Sequence, residues 1–137
     1  MANKLREIEA ATQADIDAAL RPFIQTFVQP HKRERAISLF LPLKRRARPR
    51  ELVASLRMEA VIRLDGSAQT ERALARIAPD LAGVYVVGKP AAFRTSFLQA
   101  RHLRGFAYGD EEIFVAHGGG CALVNFEIGV DWLIAAR

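Results

Sequence analysis

The 137-residue chain has one cysteine, Cys121, and one tryptophan. A lone thiol cannot close an internal disulfide, so the fold must be held by its own core, which a chain of this length can supply without a covalent or metal staple. Long hydrophobic runs are also missing. Arg, Lys, Asp or Glu interrupts every apolar stretch well short of the ~20 residues needed to cross a bilayer, which excludes a membrane-spanning helix. The chain does not open with the basic, apolar and small-residue pattern of a secretory leader, and the expected location is a reducing cytoplasm. Histidine is scarce: His31, His102 and His117 have no second ligand at metal-binding spacing, so no metal or other cofactor is expected. Internal repeats and low-complexity segments are absent.

What is present is half apolar, and its charge is divided along the chain. The formal net charge is +5. Residues 30–57 carry nine basic groups against Glu34 and Glu51, residues 81–109 carry four basic groups and no acid, and residues 110–137 come to −4. Arginine outnumbers lysine sixteen to four, and alanine is abundant. A GC-rich coding genome produces that bias without selection for binding, so position says more than number.

The 3.6-residue spacing of Ile16, Leu20, Phe23, Ile24 and Phe27 predicts an amphipathic helix capped by Asp15 and kinked, or split in two, at Pro22. Pro30 suits the first turn of a second helix, in which Ala36, Ile37, Phe40 and Leu41 share a face and which Pro42 ends. Pro49 begins a third, with Leu52, Val53 and Leu56 inward. Residues 1–57 therefore read as a basic helical cluster. From Met58 to Leu64 the period changes to two, which predicts a half-buried strand. A helix from about Ser67 to Ala78 follows, with Leu74 and Ile77 inward and Arg72 and Arg76 together on the opposite side. Val84–Val87, flanked by Gly83 and Gly88, reads as a central strand covered on both faces. Strand, helix, strand predicts a βαβ-like crossover.

Residues 91–104 fit helix and strand equally well and are assigned to helix. Phe106–Tyr108, Ile113–Ala116 and Ala122–Ile128 then predict an antiparallel meander, closed by Val130–Ala136 as strand or short helix. The expected fold is α+β in a single domain, 1–137. An N-terminal helical cluster packs on a mixed sheet of four to five strands with one βαβ-like unit and a C-terminal antiparallel meander.

Several short patterns resemble catalytic or binding motifs. His117–Gly120 spell HGGG, which resembles the oxyanion-hole string of lipases and esterases. No G-x-S-x-G elbow or downstream histidine accompanies it, and glycines between two strand-like runs predict a hairpin turn. Cys121 follows, so a thiolate beside His117 is a conceivable nucleophile, against the plainer expectation of a small buried hydrophobe. Gly83–Lys89 has the glycine and lysine spacing of a phosphate loop, yet Pro90 occupies the hydroxyl position and the interior reads as a strand. Asp110–Glu112 reads as a solvated acidic turn. The basic linker Lys44–Arg50 lies between helices interrupted by Pro42 and Pro49, without a polar recognition face, so sequence-specific DNA readout is not expected.

These readings leave a small non-catalytic binding or interaction protein, in one form a homodimer, whose basic helical surface meets a protein partner or a second copy through complementary charge. One alternative is a sequence-nonspecific nucleic-acid or polyanion binder; another is a small enzyme centred on His117 and Cys121. The residues expected to carry binding are Lys32, Arg33, Arg35, Lys44, Arg45, Arg46, Arg48 and Arg50, with Arg94, Arg101 and Arg104 as a second contact. No membrane partner is expected.

Overall fold

A computed structural model describes residues 8–43, 48–87, 91–103, 112–127 and 130–136. Helix α1 spans Gln13–Phe27, and its predicted stripe of Ile16, Leu20, Phe23, Ile24 and Phe27 is buried together with Ala19. Full burial of each large apolar side chain contributes about 1.5–3 kcal/mol, which outweighs the irregularity at Pro22. The N-cap is Thr12 and not Asp15. Thr12 Oγ1 accepts from the Asp15 N–H (3.2 Å), while Asp15 Oδ2 accepts from the Thr12 N–H (2.8 Å). Asp15 is the third residue of a capping box, one turn inside the position expected for it.

Pro22 sits mid-helix and offers no N–H to the Ala18 carbonyl four residues earlier. That carbonyl instead accepts from the N–H of Gly118 at 2.8 Å, so a distant turn supplies the bond that proline removes. A short 3-10 turn, Pro30–Lys32, leads into α2, Arg33–Phe40, which buries Ala36 and Phe40; α3 spans Pro49–Val53 and buries Leu52 and Val53. The chain leaving α1 is tied to the chain leaving α3. Val28 and Leu56 form an antiparallel bridge, Gln29 N–H donates to Ser55 O (2.9 Å) and Arg57 N–H donates to Phe27 O (2.7 Å). After this tie the expected strand begins late: Met58–Ala60 winds into a 3-10 turn, and β1 is confined to Val61–Leu64.

The remaining elements are α4 (Ala68–Ala75), β2 (Ala82–Val87), β3 (Ala91–Ser96), α5 (Phe97–Leu103), β4 (Glu112–Ala116), β5 (Cys121–Glu127) and β6 (Val130–Ala135). The ambiguous segment 91–104 divides: its first half pairs with β2, and helix starts only at Phe97. Phe106–Tyr108 lies outside the described residues. The fold is α+β, and the described residues form six strands in the order β1-β6-β5-β4-β2-β3.

Every neighbouring pair is antiparallel, so the sheet is not mixed. Following these pairings across the sheet, β1 and β2 run the same way with β6, β5 and β4 between them. The expected crossover exists, but it spans the whole C-terminal meander instead of joining neighbours. Period and length identify a strand; they carry no information about which strand lies beside it.

Helices cover both faces of the sheet. The α1–α3 layer packs on Val84, Ile113, Val115, Ala122, Val124 and Ile134. The opposite face carries the cross-strand row Tyr85, Phe114, Leu123 and Leu133, packed against Leu74 of α4 and Phe97, Ala100 and Leu103 of α5. An antiparallel sheet often leaves one face in water. Two covered faces explain why β4 is buried at every position and why β2 reads as a continuous apolar run. The outer edge of β3 is partly closed by residues 9–11, where Ala11 N–H donates to Ala92 O and Arg94 N–H donates to Glu9 O, both at 2.9 Å.

Candidate binding surfaces

Lys32 is the N-cap of α2, Arg33 opens that helix and Arg35 follows two residues later, while Arg48 is the N-cap of α3 and Arg50 lies within it. Both helices belong to the same layer, and a groove of about 300 Å³ runs between them. Ala36, Leu39 and Phe40 form its apolar lining; Lys32 and Arg35 supply positive charge, and Glu51 is the one acid among the described residues that line it. Neither Lys32 nor Arg35 has a carboxylate within 4 Å among the described residues. The Lys32 ammonium is 3.5 Å from Ala54 O. Arg33 is structural instead, since its Nε donates to Val28 O (3.1 Å) and ties α2 back to the end of α1. Glu51 receives the Arg48 N–H (3.3 Å), as a residue at the third helical position should.

The proposed second contact does not assemble from Arg94 and Arg101. Arg94 lies on β3 and reaches toward α1, where Nε contacts Asp15 Oδ2 (2.6 Å) and Nη1 contacts Glu9 Oε2 (2.9 Å). The backbone hydrogen bond from Thr12 and then the Arg94 guanidinium hold the Asp15 carboxyl down at about 2; Asp15 and Glu9 in turn raise Arg94. The charge of Arg94 is therefore matched inside the fold. Arg101 lies on α5, across the sheet, with its guanidinium 5.9 Å from the centre of the Phe97 ring. Lys44, Arg45, Arg46 and Arg104 lie outside the described residues.

The HGGG string is a docking turn. His117 N–H donates to Ala82 O, Gly118 N–H to Ala18 O and Gly119 N–H to Ala116 O, so amides that an oxyanion hole would require are already bonded. Gly118 and Gly119 have φ of 85° and 68°. A Cβ on Gly119 would fall 2.2 Å from the Phe23 backbone nitrogen. Cys121 opens β5 at 7% exposure, and burial pushes its thiol up, away from the thiolate that a nucleophile requires. Residues 83–87 of the phosphate-loop-like stretch lie in β2.

Glu112 corrects the reading of residues 110–112 as a solvated acidic turn: it is the first residue of β4 and only 3% exposed. It stands beside the Tyr85 phenol, whose proton loss is pushed far up by burial first and then by the Glu112 carboxylate. Tyr85 also donates to Leu103 O (3.4 Å). Register places Asn125 opposite Glu112, and its Oδ1 is buried without a hydrogen-bond partner among the described residues. Asp80, Ser96 and His102 line one open groove of about 620 Å³ beside α5, but no hydrogen bond joins them, and Ser96 Oγ accepts from the Gln99 N–H (3.2 Å). Among the described residues no three His, Cys, Asp or Glu side chains cluster to hold a metal ion, and no helix is long and apolar enough to cross a membrane.

A further basic groove was not among the sequence candidates. Arg63 of β1, Arg72 of α4 and Arg76, the C-cap of that helix, border a groove of about 720 Å³ at the β1 edge of the sheet; the register of β1, with Val61 in the α1–α3 core and Ile62 and Leu64 in the other, puts Arg63 on the face away from α4. The spacing of Arg72 and Arg76 was visible in the sequence; the groove itself required the packing of α4 on β1. Comparison with models of protein families, with curated proteins and with solved structures finds no match to this chain.

Proposed function

We propose that this chain is a non-catalytic binding protein whose α2–α3 groove takes an acidic segment of a protein partner. The observation that carries the reading is a contrast between cations. Arg94 meets two carboxylates of its own chain, whereas Lys32 and Arg35 meet none within 4 Å among the described residues and stand over the apolar lining of Ala36, Leu39 and Phe40. An amphipathic segment with apolar anchors and flanking Asp or Glu complements that combination: the anchors leave water in the groove and the carboxylates set orientation and speed of encounter. A reducing cytoplasm suits a chain whose one thiol is buried. A site built on His117 and Cys121 has less support, because the thiol is covered and the turn amides are occupied.

The test is fluorescence anisotropy with a labelled helical peptide of alternating Glu and Leu turns. Binding is expected to weaken as salt rises and to be lost in the K32E/R35E variant, with the thermal midpoint unchanged. Peptide binding that is indifferent to the charge reversal would remove the groove from the account. Light scattering of the free protein separates a second outcome: salt-sensitive self-association abolished by the same variant would make another copy of the chain the partner.

A further inference from the structure

We infer that one internal water molecule is bound between Asn125, Glu112 and Tyr85, on the sheet face opposite the α2–α3 groove and independent of it. The three residues come from neighbouring strands. Register sets Asn125 of β5 opposite Glu112 of β4, and β4 pairs on its other side with β2, which carries Tyr85. Glu112 lies two residues from Phe114 and Asn125 two from Leu123, so strand alternation turns both toward the α4–α5 core that holds Tyr85. All three are more than nine-tenths buried, and they border one hollow of about 10 Å³ that Ala100, Phe114 and Leu123 also line. A polar hollow of about 10–15 Å³ is the least that holds a water, which limits the occupant here to a single water-sized body.

The hydrogen-bonding needs of the walls match those of a water. Asn125 Oδ1 is buried and accepts nothing from the described residues, and a buried acceptor left without a donor is costly. The Tyr85 hydroxyl reaches Leu103 O only at 3.4 Å, well beyond the ~2.7–2.8 Å usual for an O–H···O bond. The Glu112 carboxylate has two oxygens with about four lone-pair sites, so it can accept from a water alongside its other interactions. A water in the hollow donates one hydrogen to Asn125 Oδ1 and the other to Glu112, and accepts from the Tyr85 hydroxyl. Those three bonds are the usual complement of a buried water. A calcium ion takes about six to eight oxygens and magnesium keeps several waters of its own, more than three polar side chains around so small a hollow supply. The bound water thereby joins β2, β4 and β5 through their side chains, in addition to the ladder between their backbones.

Water–protein nuclear Overhauser spectra of the folded, isotope-labelled chain test the site. A long-held water is expected to give a cross-peak to the Asn125 side-chain amide protons, opposite in sign to that of passing surface hydration. The same cross-peak is expected in Tyr85→Phe, which keeps the ring and removes the hydroxyl whose exchanging proton could imitate a water. Asn125→Leu has no amide, so loss of the cross-peak there assigns it, and relaxation dispersion of the water oxygen is expected to count one long-held water fewer than in wild type. If Asn125→Leu does not fold, the wild-type and Tyr85→Phe spectra decide the matter by themselves. Sodium, potassium and calcium chlorides are expected to shift the thermal midpoints of wild type and variants equally, relative to choline chloride at the same ionic strength. No cross-peak in wild type, or one that vanishes in Tyr85→Phe, would overturn the inference. So would a cation that stabilises wild type and not the variants, since the occupant would then be an ion. The α2–α3 groove stands or falls separately, on its peptide and its own variant.

Discussion

Three consecutive glycines, each replaced by alanine, would measure how firmly the β4–β5 turn is docked on α1. A methyl group added at Gly120 would meet no atom within 4 Å, and the residue has no positive φ, so Gly120→Ala is expected to change stability by no more than about 0.5 kcal/mol. Gly118 is equally open, but its φ of 85° is left-handed backbone, which costs a residue with a Cβ about 1–2 kcal/mol. Gly119 has that strain at φ 68° and a collision as well: its Cβ would sit 2.2 Å from Phe23 N and 2.7 Å from Phe23 Cα. Both are backbone atoms of a helix, with no flexible side chain to move aside. Overpacking of this kind typically adds about 1–3 kcal/mol, which puts Gly119→Ala at about 2–5 kcal/mol in total. Urea unfolding followed by the fluorescence of Trp132 ranks the three variants. Pro22→Ala completes the set, because proline inside an exposed helix costs about 3 kcal/mol relative to alanine. Here the Ala18 carbonyl already has the Gly118 N–H, so the gain is expected to stay under about 1 kcal/mol. A Gly119→Ala variant no less stable than Gly118→Ala, or a Pro22→Ala gain near the full helix value, would refute the docking argument.

Stability should fall on the acid side as Asp15 is protonated. Its folded carboxyl titrates at about 2, below the ordinary value of 3.8, so its contribution is present above pH 4 and disappears as pH drops toward 2. Asp15→Asn and Arg94→Ala should each flatten that part of the curve of urea midpoint against pH. Cys121 should resist alkylation under native conditions and react at the rate of unfolding, because the thiol is buried and pushed up; rapid modification of folded protein would contradict this. Phe114→Ala empties the centre of the α4–α5 core, where the Phe97 ring meets it edge-on at 6.0 Å, and should cost about 3–5 kcal/mol by the same urea assay.

The α1 stripe, the buried run of β2 and the hairpin glycines were legible in the residues themselves because each is a local pattern. Helical or strand period shows which side chains a segment must hide, and a covered sheet needs apolar residues on both sides. The α+β class follows from those segments in order. The candidate surface was legible only in part. Lys32 and Arg35 do border one groove, but nothing near Arg94 in the chain announces Asp15, which lies 79 positions away and consumes its charge. Glu112 looked solvated beside its acidic neighbours and lies in the interior, because it is already the first residue of the covered strand β4.

Local sequence thus determined most of the helices and strands and which of their faces seek cover, but not the division of residues 91–103 into β3 and α5 or the 3-10 turn at Met58–Ala60. Tertiary packing alone decided which strand lies next to which, that Gly118 would complete the helix broken by Pro22, and which arginines remain open to a ligand. The reason is the range of the forces involved. Dihedral preference and hydrophobic period act over a few residues and can be read in sequence. Hydrogen bonds, ion pairs and the close approach of two backbones depend on atoms brought together across the chain, and these exist only once the layers have packed.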